Sequence, residues 1–316
     1  MSFLASRWFK ISISLTLLLV LFRSADWRAL ANQIRVAQPG YLLVAFVGYL
    51  AGQVLSAYKW RLLAQALGFG QPLRTFIVYY FVGMYLNLFT PSTIAGDLGR
   101  GVFLAGGQEG AGRALQSVFA DRVSGMLMLV WVSALGFLVL GPTVLPALVC
   151  YGTIAVACGA LAAWWLLPRS VEWLFAPQHA VRRLSDKLIG PYQNESRLLL
   201  LVCGLALGFH AFQISLLPIL AHSLGISVPF WYLVLCFPLV TLLSALPVSF
   251  GGLGVREGGF VFFLSFIGIP QDKALAFSLV WTALIFGAGM LGGLVLFLSS
   301  DTRLTFQRLL RKTSAE

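Results

Sequence analysis

Six charged side chains stand in or beside stretches that are otherwise apolar: Asp97, Arg100, Asp121, Arg122, Arg256 and Glu257. An ionisable group near the middle of a bilayer costs several kcal/mol unless it is paired or hydrated, so each is a candidate for function. Arg100 and Arg256 carry planar guanidinium forks that can give two parallel hydrogen bonds to an anionic headgroup. Gly96, Gly251, Gly252 and Gly254 would let backbone amides approach the same anion. Asp97 and Glu257 would hold the arginines in place or receive a cationic headgroup. The competing reading is ion pairing inside the chain that stitches helices together. For Asp121 with Arg122, an interfacial pair at the start of a helix is an equal alternative.

The elements that carry these charges look like two copies of one device. Tyr85–Leu104 reads YLNLFTPSTIAGDLGRGVFL, and Thr241–Phe260 reads TLLSALPVSFGGLGVREGGF. With Pro91 set on Pro247, Thr93 falls on Ser249, Gly96 on Gly252 and Arg100 on Arg256. Paired interruptions at corresponding places in two halves of a membrane protein point to a transport site at the repeat interface.

The rest of the chain supplies the membrane. Composition is 59% hydrophobic and 10% charged, against roughly 25% charged in a soluble domain. Apolar runs over Tyr41–Tyr58, Met126–Leu140, Thr143–Leu167, Leu198–Leu220, Pro229–Pro247 and Ala274–Leu298 approach or exceed the ~20 residues that cross the hydrocarbon as helix. A shorter run, Ile11–Phe22, resembles a signal-peptide core, but no small-residue cleavage site follows it, so it reads as a retained first helix. Trp27, Leu30 and Ile34 share one helical face, as do Val181, Leu184 and Leu188, so both connecting segments read as surface helices.

The net charge of +11 is not the mark of a nucleic-acid binder, because the basic residues flank apolar runs in short groups. Five Lys or Arg lie between Arg169 and Arg197, and four follow Leu298, so both segments are expected to be cytoplasmic. Leu198–Leu220 then leaves the cytoplasm and Ala274–Leu298 returns to it. Between them, the twelve residues Gly258–Ile269 would rise only about 18 Å, too little for a crossing. A re-entrant hairpin fits, opening to the outside. If Phe76–Leu104 is its counterpart it opens to the cytoplasm, since charge alone does not orient the first two helices. The loop Arg23–Pro39 carries three Arg and the stretch Lys59–Arg74 also carries three basic residues.

Other chemistries find no motif. His179, His210 and His222 are too scattered for a metal site; His210 with Gln213 reads as a helix–helix hydrogen bond, the alternative being the lining of a wet path. Cys150, Cys158, Cys203 and Cys236 all fall in apolar runs without C-x-x-C spacing and read as free, buried thiols. No phosphate loop, serine-hydrolase elbow or H-E-x-x-H motif is present, so neither a metal nor a cofactor is expected.

The gathered residues resemble a known family. N-x-x-x-P followed by G-D-x-x-R (Asn87, Pro91, Gly96, Asp97, Arg100), then D-R-x-x-G (Asp121, Arg122, Gly125), then P-x-x-x-G-G-x-G-x-R-E (Pro247, Gly251, Gly252, Gly254, Arg256, Glu257) is similar to the lysylphosphatidylglycerol synthase transmembrane region, also called flippase-like domain proteins. The similarity runs over nearly the whole chain. In full-length synthases this region is linked to moving aminoacylated phosphatidylglycerol between leaflets, and a separate soluble domain performs aminoacyl transfer. Only eighteen residues follow Leu298, so the resemblance implies the transport part without the enzyme part. It leaves the lipid open among phospholipids, hopanoids and glycolipid carriers, and allows a lipid-synthesising enzyme as partner.

The expectation is an all-α polytopic bundle of about six to eight membrane helices plus two re-entrant hairpins, built as an inverted repeat. A single integral membrane domain spans 1–316, with repeat-like halves 1–167 and 198–298, an amphipathic loop 168–197 and a basic cytoplasmic tail 299–316. It would lie in the cytoplasmic membrane. Arg100, Arg256, Glu257, Asp97, Asn87, Gly96, Gly251, Gly252 and Gly254 would contact a lipid headgroup, supported by Asp121, Arg122, Pro91 and Pro247. The function expected is lipid translocation without catalysis; the alternative is a membrane enzyme or accessory subunit using Asp97 or Glu257 as general base on a lipid-linked substrate.

Overall fold

A computed structural model describes residues 7–298 except 24, 91–93, 107–109, 142–144, 175, 177 and 194. Among the described residues stand twelve α-helices and no strand, as a chain that must satisfy its amides inside hydrocarbon requires. They are α1 (Arg7–Arg23), α2 (Trp27–Arg35), α3 (Pro39–Gln65), α4 (Leu73–Leu88), α5 (Ile94–Ala105), α6 (Ala111–Leu140), α7 (Ala147–Leu174), α8 (Ala180–Gln193), α9 (Ser196–Ser223), α10 (Phe230–Ala245), α11 (Val255–Ser265) and α12 (Gln271–Leu298).

Four of these, α3, α6, α9 and α12, are 27 to 30 residues long and apolar enough to cross a membrane. Each is followed or preceded by short helices in one order, long–short–short–long, met twice along the chain. α4 and α10 have 16 residues each, α5 has 12 and α11 has 11. At 1.5 Å per residue the members of each short pair rise only about 24 Å and 17–18 Å. The amphipathic segments read from the sequence are α2 and α8. Asp26 caps α2 by accepting the amides of Arg28 and Ala29 at 2.8 and 3.1 Å, as an N-terminal carboxylate should.

Charged residues lie inside helices in two places, for one reason. The basic stretch Lys59–Arg74 begins inside a helix, and Asp121–Arg122, for which a place at a helix start is one of two readings, lie well within one. α3 continues to Gln65, and α6 begins ten residues before Asp121. Pairing with one another inside the bundle removes the penalty that would have expelled these groups.

α3 and α9 run antiparallel. The amide of Gln38, at the start of α3, donates to the Ser223 carbonyl at the end of α9, 3.0 Å away, while Leu63 near the end of α3 clusters with Val202 near the start of α9. α4 packs against α12, and α10 against α6. At each of these crossings a glycine lets backbones touch: Gly292 lies against the Phe81 carbonyl, and Gly136 against the backbone of Leu235. Between apolar helices in lipid, such close approach supplies the dispersion contacts that the hydrophobic effect does not. Only 28–39% of each long apolar span is buried, so residues such as Leu43, Val47, Leu138, Leu200 and Leu294 remain outside to face acyl chains.

The two short pairs open at opposite ends. Leu30 of α2 packs on Leu275 and Ala276 at the start of α12, and Gln33 donates to the Leu224 carbonyl just past α9, which gathers the end of α9 and the start of α12 together. At the far end of α3, Trp60 and Ala64 cluster with Phe76 of α4, Leu104 of α5 and Ala114 of α6.

Candidate functional site

The break between α10 and α11 runs from Leu246 to Gly254. Gly251, Gly252 and Gly254 have φ of +58°, +81° and +82°, a left-handed path that side-chain-bearing residues rarely follow. The path is pinned where Phe250 N donates to Ser14 Oγ of α1 at 2.7 Å and Gly254 N to Glu257 Oε2 at 2.6 Å. Between α4 and α5 the pin is Asn87, whose Oδ1 accepts the amide of Gly96 at 2.8 Å. Gly96 is itself pressed on the Gly83 carbonyl, so the two short helices touch through glycines. Pro91 and Thr93 lie outside the described residues.

Behind the first break the charges form one continuous network. Asp121 Oδ1 lies 3.1 Å from Lys59 Nζ, and Oδ2 lies 2.8 Å from Arg100 Nη2. Arg100 Nη2 also reaches Asp97 Oδ1 at 3.1 Å, and Asp97 Oδ2 receives Arg122 Nε at 2.5 Å. Lys59, Arg100 and Asp121 are only 3–4% exposed. The guanidinium of Arg100 lies between two rings, 4.9 Å from the centroid of Trp60 and 5.0 Å from that of Tyr80, a further favourable setting for a buried cation. Its Nε and Nη1 are buried without a hydrogen-bond partner.

Arg256 is held differently. Its Nη1 donates to Thr282 Oγ1 and its Nη2 to the Gly251 carbonyl, both at 3.3 Å. Among the described residues no carboxylate pairs with it. Glu257, expected to hold Arg256 or to meet a headgroup, is wholly buried and spends its oxygens on Gly254 N and on Thr282 Oγ1, the latter at 2.6 Å. This is helix capping, and it follows from the position of Glu257 three residues after Gly254 at the first turn of α11. The aligned arginines also differ in phase. Arg100 is the seventh residue of α5 and Arg256 the second of α11, because the second break is longer.

Both breaks border one central cavity of about 300 Å³ between the two sets of four helices. Its wall includes Lys59, Asp97, Arg100, Asp121, Arg122 and Arg256, together with Asn87 and Gly251. A side-chain carbon placed on Gly251 would lie 3.9 Å from the Asn87 carbonyl oxygen, so the two breaks meet there. Gly96, Gly252, Gly254, Glu257 and Pro247 are not part of the wall; they shape the turns behind it. Asp121 and Arg122, adjacent in sequence, are not paired with each other but serve different partners.

His210 Nε2 bonds the Gly125 carbonyl at 3.0 Å across α9 and α6, and both His210 and Gln213 line the cavity. All four cysteines are free; Cys150 and Cys236 are buried, whereas Cys158 is exposed on α7. Lys59 is the site residue the sequence reading missed. The signal was there: Gln53, Ser56 and Lys59 recur every third residue within an apolar run, which marks one polar helix face.

The family described as lysylphosphatidylglycerol synthase TM region matches residues 7–293. The chain is also similar to a protein from Methanothermobacter thermautotrophicus described as a UPF0104 membrane protein, 22% identical over 277 residues, covering 79% of this chain and 82% of that protein.

Proposed function

The chain belongs to the lysylphosphatidylglycerol synthase transmembrane region family, and from that premise we propose that it moves a polar-headgroup lipid between the leaflets of the cytoplasmic membrane. The observation that carries this reading is the charged central cavity at which two broken helix pairs of opposite opening meet. In this reading the four-helix sets α3–α6 and α9–α12 are inverted repeats, and the two breaks lie at membrane depth. Irregular backbone is tolerated there only when protein or a wet cavity satisfies its amides, and the bonds from Asn87, Ser14 and Glu257 do part of that work.

The headgroup enters the cavity, the acyl chains stay in hydrocarbon, and one repeat rocks against the other around the fixed site. Lys59, Asp97, Asp121 and Arg122 hold Arg100 in position, and Glu257 holds the turn that presents Arg256. The basic segment around α8 faces the cytoplasm, where a lipid-synthesising enzyme would deliver the substrate.

Reconstitution in liposomes tests the reading. The protein should accelerate transbilayer movement of at least one lipid among phosphatidylglycerol, aminoacylated phosphatidylglycerol, a polyprenyl phosphate and a hopanoid, without ATP. Rates equal to those of protein-free vesicles on every lipid would overturn it.

A further inference from the structure

The cavity wall carries four cations against two carboxylates, and both carboxylates already sit in ion pairs, although Asp121 Oδ1 takes no hydrogen bond. Asp97 is shared by Arg100 and Arg122, and Asp121 by Lys59 and Arg100. Glu257 is buried on Gly254 N and Thr282. A ligand bearing its own ammonium group would therefore meet a surplus of cations and only carboxylates that are already ion-paired. Donors, by contrast, are left over. Arg100 keeps Nε and Nη1 unpartnered although the residue is 3% exposed, and Arg256 bonds only neutral acceptors at 3.3 Å. Arg100 Cζ also lies 4.9 Å and 5.0 Å from the ring centroids of Trp60 and Tyr80, which favours keeping its charge in place.

We infer that the cavity takes a net-anionic phosphate headgroup that carries no cation of its own, and that Arg100 and Arg256, one from each broken pair, both contact it. A phosphate suits this geometry because it offers several acceptor oxygens to donors arriving from different helices. The surplus of two positive charges is then neutralised by the ligand. The inference takes from the transport reading only that the cavity is a lipid site.

Equilibrium binding to the detergent-solubilised protein tests it, using the water-soluble dihexanoyl forms of phosphatidate, phosphatidylglycerol, lysylated phosphatidylglycerol and phosphatidylcholine. The first two should bind at least tenfold more tightly than the last two. Displacement of bound phosphatidate by inorganic phosphate would trace the preference to the anion itself, and displacement by the short-chain lipid alone would assign it to a headgroup with its glycerol; either keeps the anion preference. Arg256→Gln should reduce the preference below threefold while its thermal midpoint stays within about 4 °C of wild type, since the nearby buried carboxylate of Glu257 keeps its own hydrogen bonds from Gly254 N and Thr282 Oγ1, and Arg256→Lys should retain part of it. Equal or tighter binding of the choline or lysyl lipid, or an unchanged preference in Arg256→Gln, would overturn the inference. Anion-selective binding without transbilayer movement would instead leave it standing and remove the translocase reading.

Discussion

Asp121 of α6 accepts from Lys59 of α3 and Arg100 of α5, and Asp97 ties Arg122 of α6 to the same arginine. Three helices are thus joined through Lys59, Arg100 and Asp121, almost wholly out of solvent, and through the more exposed Asp97 and Arg122. Removing one partner of such a network leaves an uncompensated charge, at a cost of about 3–5 kcal/mol. Asp121→Asn should therefore lower unfolding stability in detergent by that order, and combining it with Lys59→Met should cost less than the sum of the two. Arg256→Gln gives the contrast. It breaks two long hydrogen bonds to neutral acceptors, so the expected loss is about 1 kcal/mol, while ligand binding and lipid movement fall. If calorimetric or fluorescence unfolding gave Asp121→Asn and Arg256→Gln the same loss, the division between a structural and a ligand-facing group would fail. Glu257→Ala belongs with Asp121→Asn, because its carboxylate closes the first turn of α11.

Helix pairs in this fold are set by where a side chain is missing. A carbon added at Gly292 would strike the Phe81 carbonyl, and one at Gly96 the Gly83 carbonyl and the Asn87 side chain. In both cases the obstacle includes backbone, which cannot swing aside. Gly292→Ala should separate α12 from α4, and Gly96→Ala should lift α5 off α4 and drag Arg100 from Asp121. Both should lower the thermal midpoint, and the Gly96 variant should also lose lipid binding. Gly204 of α9 has nothing within 4 Å of an added carbon, so Gly204→Ala should match or exceed wild type in stability. The tight positions were legible in the sequence only as an abundance of glycine; which of them meet backbone depends on crossing points that no local pattern encodes.

At the scale of the molecule, the opposite openings of the two broken pairs fix which loops share a membrane face. Single cysteines at Ser227 and Asp272 should react with an impermeant thiol reagent from one side, and those at Gly70 and Asp186 only from the other. The first two sites lie next to the gathering of α2, α9 and α12, whereas Gly70 lies next to the cluster of Trp60, Phe76 and Leu104. Labelling of Ser227 and Asp272 from different sides would make α10–α11 an ordinary crossing and remove the inverted repeat from the proposed mechanism.

Class, membrane and breaks were determined by the sequence alone. Long apolar runs in a chain 10% charged leave helices as the way to satisfy the backbone in lipid, and the Pro- and Gly-rich interruptions at Asn87–Gly96 and Pro247–Gly254 had to end helices wherever they lay. The grouping of Asp97 with Arg100 was legible because residues three apart on a helix are neighbours. Tertiary structure alone decided the rest. Lys59 and Asp121 are 62 positions apart in the sequence, and only the packing of α3 on α6 brings them together and lets both stay charged inside the bundle. The packing of α11 on α12 likewise sets Arg256 on Thr282 and, among the described residues, leaves it without a carboxylate. Helix phase and crossing angle set those directions, and both come from contacts between distant segments rather than from the order of neighbouring residues.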